Sequence, residues 1–194
     1  MKKILLAGVL GGIAMFLWEG LAHVVLPLGE AGIRGLDNEA AVVATIKDNV
    51  KQAGFYIFPG GEALQPGLSG AQKQEAMRKA VEKWRAGPSG IMIVNPGGIE
   101  ADSPRQLITQ GLLDIAVALL AAFLLSKVSS LSGYGGRLLF VALIGLVPTI
   151  NAELPYWNWY GFPSVFTAAQ ALVHFVGFFV AGLILAAMVK PAHA

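Results

Sequence analysis

Four apolar runs leave this chain few ways to fold. Ile4 to Leu26 is the first, interrupted only by Glu19 and His23. Leu107 to Ser126 is the second, Leu138 to Leu154 the third and shortest, and Ser164 to Val189 the fourth and longest. A helix needs about 20 apolar residues to cross the hydrocarbon core of a bilayer. Backbone groups in lipid must be paired within their own segment, so each run is expected as a helix. The reading is a membrane all-α four-helix bundle, with helices at 1–26, 107–126, 138–154 and 164–189, the last three making up 107–190. A polar insert, 27–106, separates the first helix from the second.

Composition agrees. Charged residues make up 13% of the chain, against about 25% in an ordinary soluble domain. The net charge of +2 and the lack of a basic stripe give no footprint for nucleic acid. There is no cysteine, which removes disulfides, thiolate metal sites and cysteine nucleophiles. The expected surroundings are the lipid bilayer and a membrane-protein partner or further copies of the same chain.

Lys2 and Lys3 precede the first run as they would in a signal peptide, but no small-x-small cleavage site follows it, and an uncleaved anchor is expected. Lys2, Lys3, Lys127, Arg137 and Lys190 fall on one side of the membrane if the chain crosses four times. The excess of Lys and Arg on cytoplasmic loops then places both termini in the cytoplasm and the insert outside, in a bacterial inner membrane. The run Pro155-Tyr156-Trp157-Asn158-Trp159-Tyr160 is expected as an interfacial aromatic anchor between helices 3 and 4. The Gly/Ser-rich stretch 129–136 lacks the Gly-Lys-Ser/Thr ending of a phosphate loop and reads as a turn.

The insert reads as a small extracytoplasmic α+β unit built twice. Asp37 is a suitable cap for a helix starting near Asn38, which Gly54 stops. Phe55 to Phe58 follows as a strand, then Pro59-Gly60-Gly61. Ala71 to Arg85 is a charged amphipathic helix ended by Gly87-Pro88. Ile91 to Val94 is the second strand, closed by Asn95-Pro96-Gly97-Gly98. The two strands are expected to pair, with both helices on one face. A two-stranded sheet is marginal by itself, so the insert is expected to lean on the membrane helices or a partner. The Pro-Gly-Gly turns are read as tight strand endings rather than ligand cradles.

The remaining polar residues are concentrated in the membrane. Of twelve acidic residues nine lie in the insert; the others, Glu19, Asp114 and Glu153, lie in apolar helices with His23 and His174. Each such group costs about 2.5–3.5 kcal/mol in the bilayer on insertion scales unless it faces inward and pairs. Glu19 and His23, Gln110 and Asp114, and Gln170 and His174 are each four apart and share a helix face. Asn151 and Glu153 follow Pro148, which should bend helix 3. At about 1.5 Å per residue all eight lie in the outer half of the bundle, within about 14 Å of its end.

Three functions fit this cluster. The first is a satisfied polar network that fixes helix packing in an accessory or interaction protein of a membrane complex. The second is a divalent metal or cofactor site, with Glu19, His23, Asp114, Glu153 and His174 as ligands and Gln110, Asn151 and Gln170 behind them. A bis-histidine haem is a weaker variant, since His23 and His174 differ in depth by about 9 Å. The third is a proton- or ion-coupled carrier or small-solute site, although no polar path continues through the inner half. An outer-leaflet enzyme using Glu153 or Glu19 with a histidine is a further option; no Gly-x-Ser-x-Gly motif is present. Gly8 and Gly12, Ala118 and Ala122, and Gly177 and Ala181 are small pairs that would let helices approach closely.

Overall fold

The computed structural model describes residues 1–100 and 103–190; Asp102, counted above among the acids of the insert, lies outside them. The elements run α1 (Lys2–Val25), α2 (Glu39–Asn49), β1 (Gly54–Phe58), α3 (Gly70–Ala86), β2 (Gly90–Val94), α4 (Pro104–Lys127), α5 (Tyr134–Tyr160) and α6 (Ser164–Met188). Helices α1, α4, α5 and α6 are long and apolar enough to cross a membrane. The chain divides into two compact units, one of Met1–Ile33 with residues 101–194, the other Arg34–Glu100.

In the helical unit α1 packs on α4 and α6, and α6 also packs on α5. The fourth seam of the bundle, between α4 and α5, is only lightly closed. Small residues set the closest approach. A Cβ on Gly12 would stand 2.7 Å from the backbone nitrogen of Ile115, and one on Gly8 would stand 2.8 Å from the Cα of Leu119. Helices α1 and α4 therefore meet backbone to backbone along the expected Gly8–Gly12 stripe, with Ala118 and Ala122 fully buried. Van der Waals contact, not exclusion of water, is what holds such a seam in lipid.

Two helices extend beyond their apolar runs. Helix α4 begins at Pro104 because Ser103 and Gln106 form a capping box: the Ser103 hydroxyl accepts from the Gln106 amide and the Gln106 side chain accepts from the Ser103 amide. The polar box satisfies the first free N–H groups, so hydropathy alone starts the helix late. Helix α5 continues to Tyr160 rather than ending at Leu154, and the aromatic run forms its last turns instead of a loop. Between Thr149 and Glu153 the helix widens, the Leu154 amide reaching the Thr149 carbonyl five residues back. Pro155 then falls in the first turn of the resumed helix, where its missing N–H is no loss. Gly161, at φ 70°, ends the segment.

In the insert unit β1 and β2 pair antiparallel, with Phe55 opposite Ile93 and Ile57 opposite Ile91. Asn38, not Asp37, caps α2, its side chain accepting from the Ala41 amide at 3.3 Å. Helix α3 starts at a Ser69–Gln72 capping box and ends at Gly87. It packs on the turn Gly61–Leu64 that follows β1. Gly60, at φ 115°, lets Ala80 come close, and the Trp84 indole N–H donates to the Pro59 carbonyl. Here Pro-Gly-Gly acts as a tight ending against which a helix rests. Arg78 bridges Glu75 at 2.8 Å and Glu82 at 2.6 Å. Its hydrogen bond to Glu75 holds that carboxyl below the usual range and raises the guanidinium. The cluster is exposed, and such pairs contribute little.

The expectation that both helices cover the ribbon is not met. Helix α2 has no buried residue, and Val42 and Val43 remain exposed. Ile93 is 76% exposed. The reason is size: about 70 residues with two short strands cannot enclose every apolar side chain.

Candidate functional site

The polar residues of the apolar helices resolve into two groups. The first bridges α1 and α4. The Gln110 side-chain nitrogen donates to Glu19 Oε2 at 3.0 Å and to Asp114 Oδ1 at 2.9 Å. Helix α4 aims both of its residues at the same place because they are four apart. Asp114 is buried at 4% exposure, and its second oxygen, Oδ2, has no hydrogen-bond partner. Glu19 is half-buried and Gln110 exposed, so the group runs from the α1–α4 seam to the bundle surface.

The second group bridges α5 and α6. His174 Nε2 stands 3.6 Å from Glu153 Oε1, an ion pair when the imidazole carries its second proton. Glu153 closes the widened turn of α5. Irregular turns of this kind recur at functional sites in helices. Helix α1 ends in a second widened turn, Leu21–Val25, which carries His23. That histidine is exposed, and its Nδ1 lies 2.9 Å from the Glu19 backbone carbonyl, to which it donates. Asn151 is exposed and Gln170 half-buried; neither joins the two groups by a hydrogen bond among the described residues.

The eight candidates share one end of the bundle but do not converge on one point. Glu19, Gln110 and Asp114 come together, and so do Glu153 and His174, while His23, Asn151 and Gln170 stand apart. Among the described residues no three His, Asp or Glu side chains are gathered as a metal ion would require. The set Glu19, His23, Asp114, Glu153 and His174 is therefore not assembled as a ligand shell in this arrangement. The widened turns account for part of this: an extra residue in the turn rotates the side chains that follow away from the regular face.

Three interhelical contacts carry no signal in the spacing of acids and histidines. The Trp18 indole N–H donates to the Val173 carbonyl at 2.9 Å, tying α1 to α6. At the other end of the bundle the Tyr134 hydroxyl donates to the Leu183 carbonyl at 3.2 Å. Arg137 is buried, its Nε donating to the Ala186 carbonyl at 2.9 Å and its Nη1 to the Ser132 carbonyl at 2.5 Å. Ala186 lies in the last turn of α6, where carbonyls lack intrahelical donors and the helix dipole is negative. In sequence Arg137 is indistinguishable from a loop cation. The hydroxyls of Thr149 and Thr167 are buried without a hydrogen-bond partner.

Compared with family models, with curated proteins and with solved structures, the chain finds no match in any of the three.

Proposed function

We propose that this membrane protein is an accessory or interaction subunit of a membrane complex, in which the intramembrane polar residues act as clasps between helices. The supporting observation is their distribution. Each main helix seam holds its own polar bridge: Gln110 with Glu19 between α1 and α4, Trp18 with Val173 between α1 and α6, Glu153 with His174 and Arg137 with Ala186 between α5 and α6. Bridges spread over all three seams fix the register of neighbours. A reaction centre needs its groups converging on one position.

The partner half of the reading rests on surfaces left uncovered. The α4–α5 seam is lightly closed, α2 buries nothing, and Ile93 stands on an apolar ribbon face. Uncovered apolar surface of this kind marks interaction sites. In this reading both termini lie in the cytoplasm, the membrane is a bacterial inner membrane, and the insert offers the contact outside.

Extraction of the full chain with its surrounding lipid into polymer nanodiscs, followed by mass measurement, tests the proposal. The expected species contains the 20.4 kDa chain together with a second copy or a different protein. A uniform population of single chains overturns it.

A further inference from the structure

The chain leaves α1 with its apolar side chains uncovered and keeps them so as far as α2. Val24 and Val25, in the last turn of α1, are exposed, as lipid-facing residues of a membrane-spanning helix are. The chain then folds back over the end of the bundle. A Cβ on Gly29 would stand 3.1 Å from the Cα of His23. Gly32, at φ 79°, rests on the first turn of α6, where an added Cβ would lie 3.0 Å from the side chains of both Val165 and Phe166. That turn follows the aromatic end of α5, Trp157 to Tyr160, and aromatic side chains of this kind mark headgroup depth. Between Leu28 and Thr45 the large apolar residues are Ile33, Leu36, Val42 and Val43. All four are exposed, Ile33 at 64%, Leu36 at 56% and Val43 at 51%. The protein itself buries none of them.

Two observations favour the bilayer surface as their cover. The first is continuity: the uncovered run starts on the lipid-facing end of α1 and passes the depth of the aromatic side chains before α2 begins. Seven residues separate Gly32 from Glu39, at most about 25 Å of chain. A helix on so short a tether meets the membrane surface at high effective concentration, whereas a protein partner has to be supplied. The second is the pattern within α2. At 100° per residue Val42, Val43 and Ile46 fall within an arc of about 100°, the width of an amphipathic stripe, with Ala44 and Asp48 on the opposite side. Residues 30–48 include four acids, Glu30, Asp37, Glu39 and Asp48, and two bases, Arg34 and Lys47. Attraction to anionic lipid is therefore not the source of contact; apolar burial at the edge of the acyl layer is.

We propose that residues 33–46 lie in the headgroup layer of the bilayer, with Ile33, Leu36, Val42 and Val43 at the acyl boundary and α2 as a membrane-surface helix. This does not depend on the accessory reading, and it leaves the ribbon face and the α4–α5 seam for a protein partner. The chain has no cysteine, so Val43→Cys and Asp48→Cys each give one labelling site, at exposed positions where the fold is not disturbed. Each variant of the full chain carries a polarity-sensitive fluorophore in liposomes of phosphatidylcholine, and in a second set with added phosphatidylglycerol. Two quenchers are compared, a phospholipid with a nitroxide near the top of its acyl chain and iodide in the buffer. The label on Val43→Cys is expected to emit at shorter wavelength, to lose its emission to the lipid nitroxide and to resist iodide, equally in both lipid mixtures. The label on Asp48→Cys is expected to show the reverse preference. Iodide quenching as strong at Val43→Cys as at Asp48→Cys overturns the proposal, because the apolar face is then in water. Shielding of Val43→Cys from both quenchers overturns it too, because protein then covers that face.

Discussion

A single amide nitrogen, that of Gln110, lies 3.0 Å from Glu19 on α1 and 2.9 Å from Asp114 on its own helix. Both of its hydrogens are thereby used, one on each carboxyl group. Gln110→Leu removes both bonds and leaves two carboxyls facing each other in a seam with no donor between them. Interhelical hydrogen bonds in membranes are worth about 0.6 kcal/mol on average and up to about 1.7; stranded acceptors add about 1–3 kcal/mol. A loss of about 2 kcal/mol is expected, read by reversible unfolding in mixed micelles. Glu19→Gln in the same assay should cost less, since an amide can still pair with Gln110. Unchanged stability in Gln110→Leu would remove the clasp from the account of this seam.

The same seam depends on Gly12. A Cβ there would meet the Ile115 nitrogen at 2.7 Å and the Asp114 carbonyl oxygen at 2.9 Å, and backbone cannot step aside as a flexible side chain can. Gly12→Val should cost about 1–3 kcal/mol through overpacking and pull Glu19 away from Gln110. Gly20→Ala on the same helix is the control, because nothing lies within 4 Å of its added carbon. Helix propensity alone should leave that variant as stable as wild type or slightly more so. Equal losses in both variants would mean that close approach at Gly12 is not what matters.

The four helices are legible because bilayer thickness imposes a minimum length on apolar runs, and each run meets it or nearly so. Their ends are less legible. The capping box at Ser103 and the aromatic end of α5 are polar or amphipathic and lie outside any hydropathy window. Within the cluster, Gln110 and Asp114 meet as their spacing of four predicts. Glu19 and His23 have the same spacing, but the His23 ring goes to a backbone carbonyl, because the chain there leaves regular helical pairing. Spacing assigns a face; it does not say which atom a side chain finds once the turn widens. Arg137 was hidden for another reason. Its role comes from the carbonyl it meets on the partner helix, which is not encoded locally.

Arg137 tests whether geometry or charge matters at the other end of the bundle. Its guanidinium reaches the Ala186 carbonyl on α6 and the Ser132 carbonyl in the preceding loop. Lysine keeps the positive charge near the helix C-terminus but not the planar fork that reaches two elements at once. Arg137→Lys should lose about 1.5–3 kcal/mol, the range for one hydrogen bond to a charged group, seen as a lower Tm. Arg137→Met should lose more, since the loop and the α6 terminus are then both unsatisfied. A lysine variant with wild-type Tm would show that charge alone suffices.

Ile93 separates folding of the insert from association. It stands opposite Phe55 on the ribbon and is 76% exposed, so it contributes little to the unit's own core. Threonine is also β-branched and suits a strand, and Ile93→Thr should leave stability within about 0.5 kcal/mol, as for an ordinary surface change. If this face meets another protein, the apolar side chain is buried there, and its loss costs about 1.5–3 kcal/mol of association. That corresponds to a tenfold or greater rise in Kd. The measurement is the fraction of assembled species against concentration, in the same nanodisc preparation used to look for a partner. Lys73→Ala, a change on the α3 surface away from the ribbon, is the parallel control and should not shift assembly. Should Ile93→Thr assemble like wild type while Gln110→Leu does not, the contact belongs to the membrane helices, and the ribbon face is merely exposed.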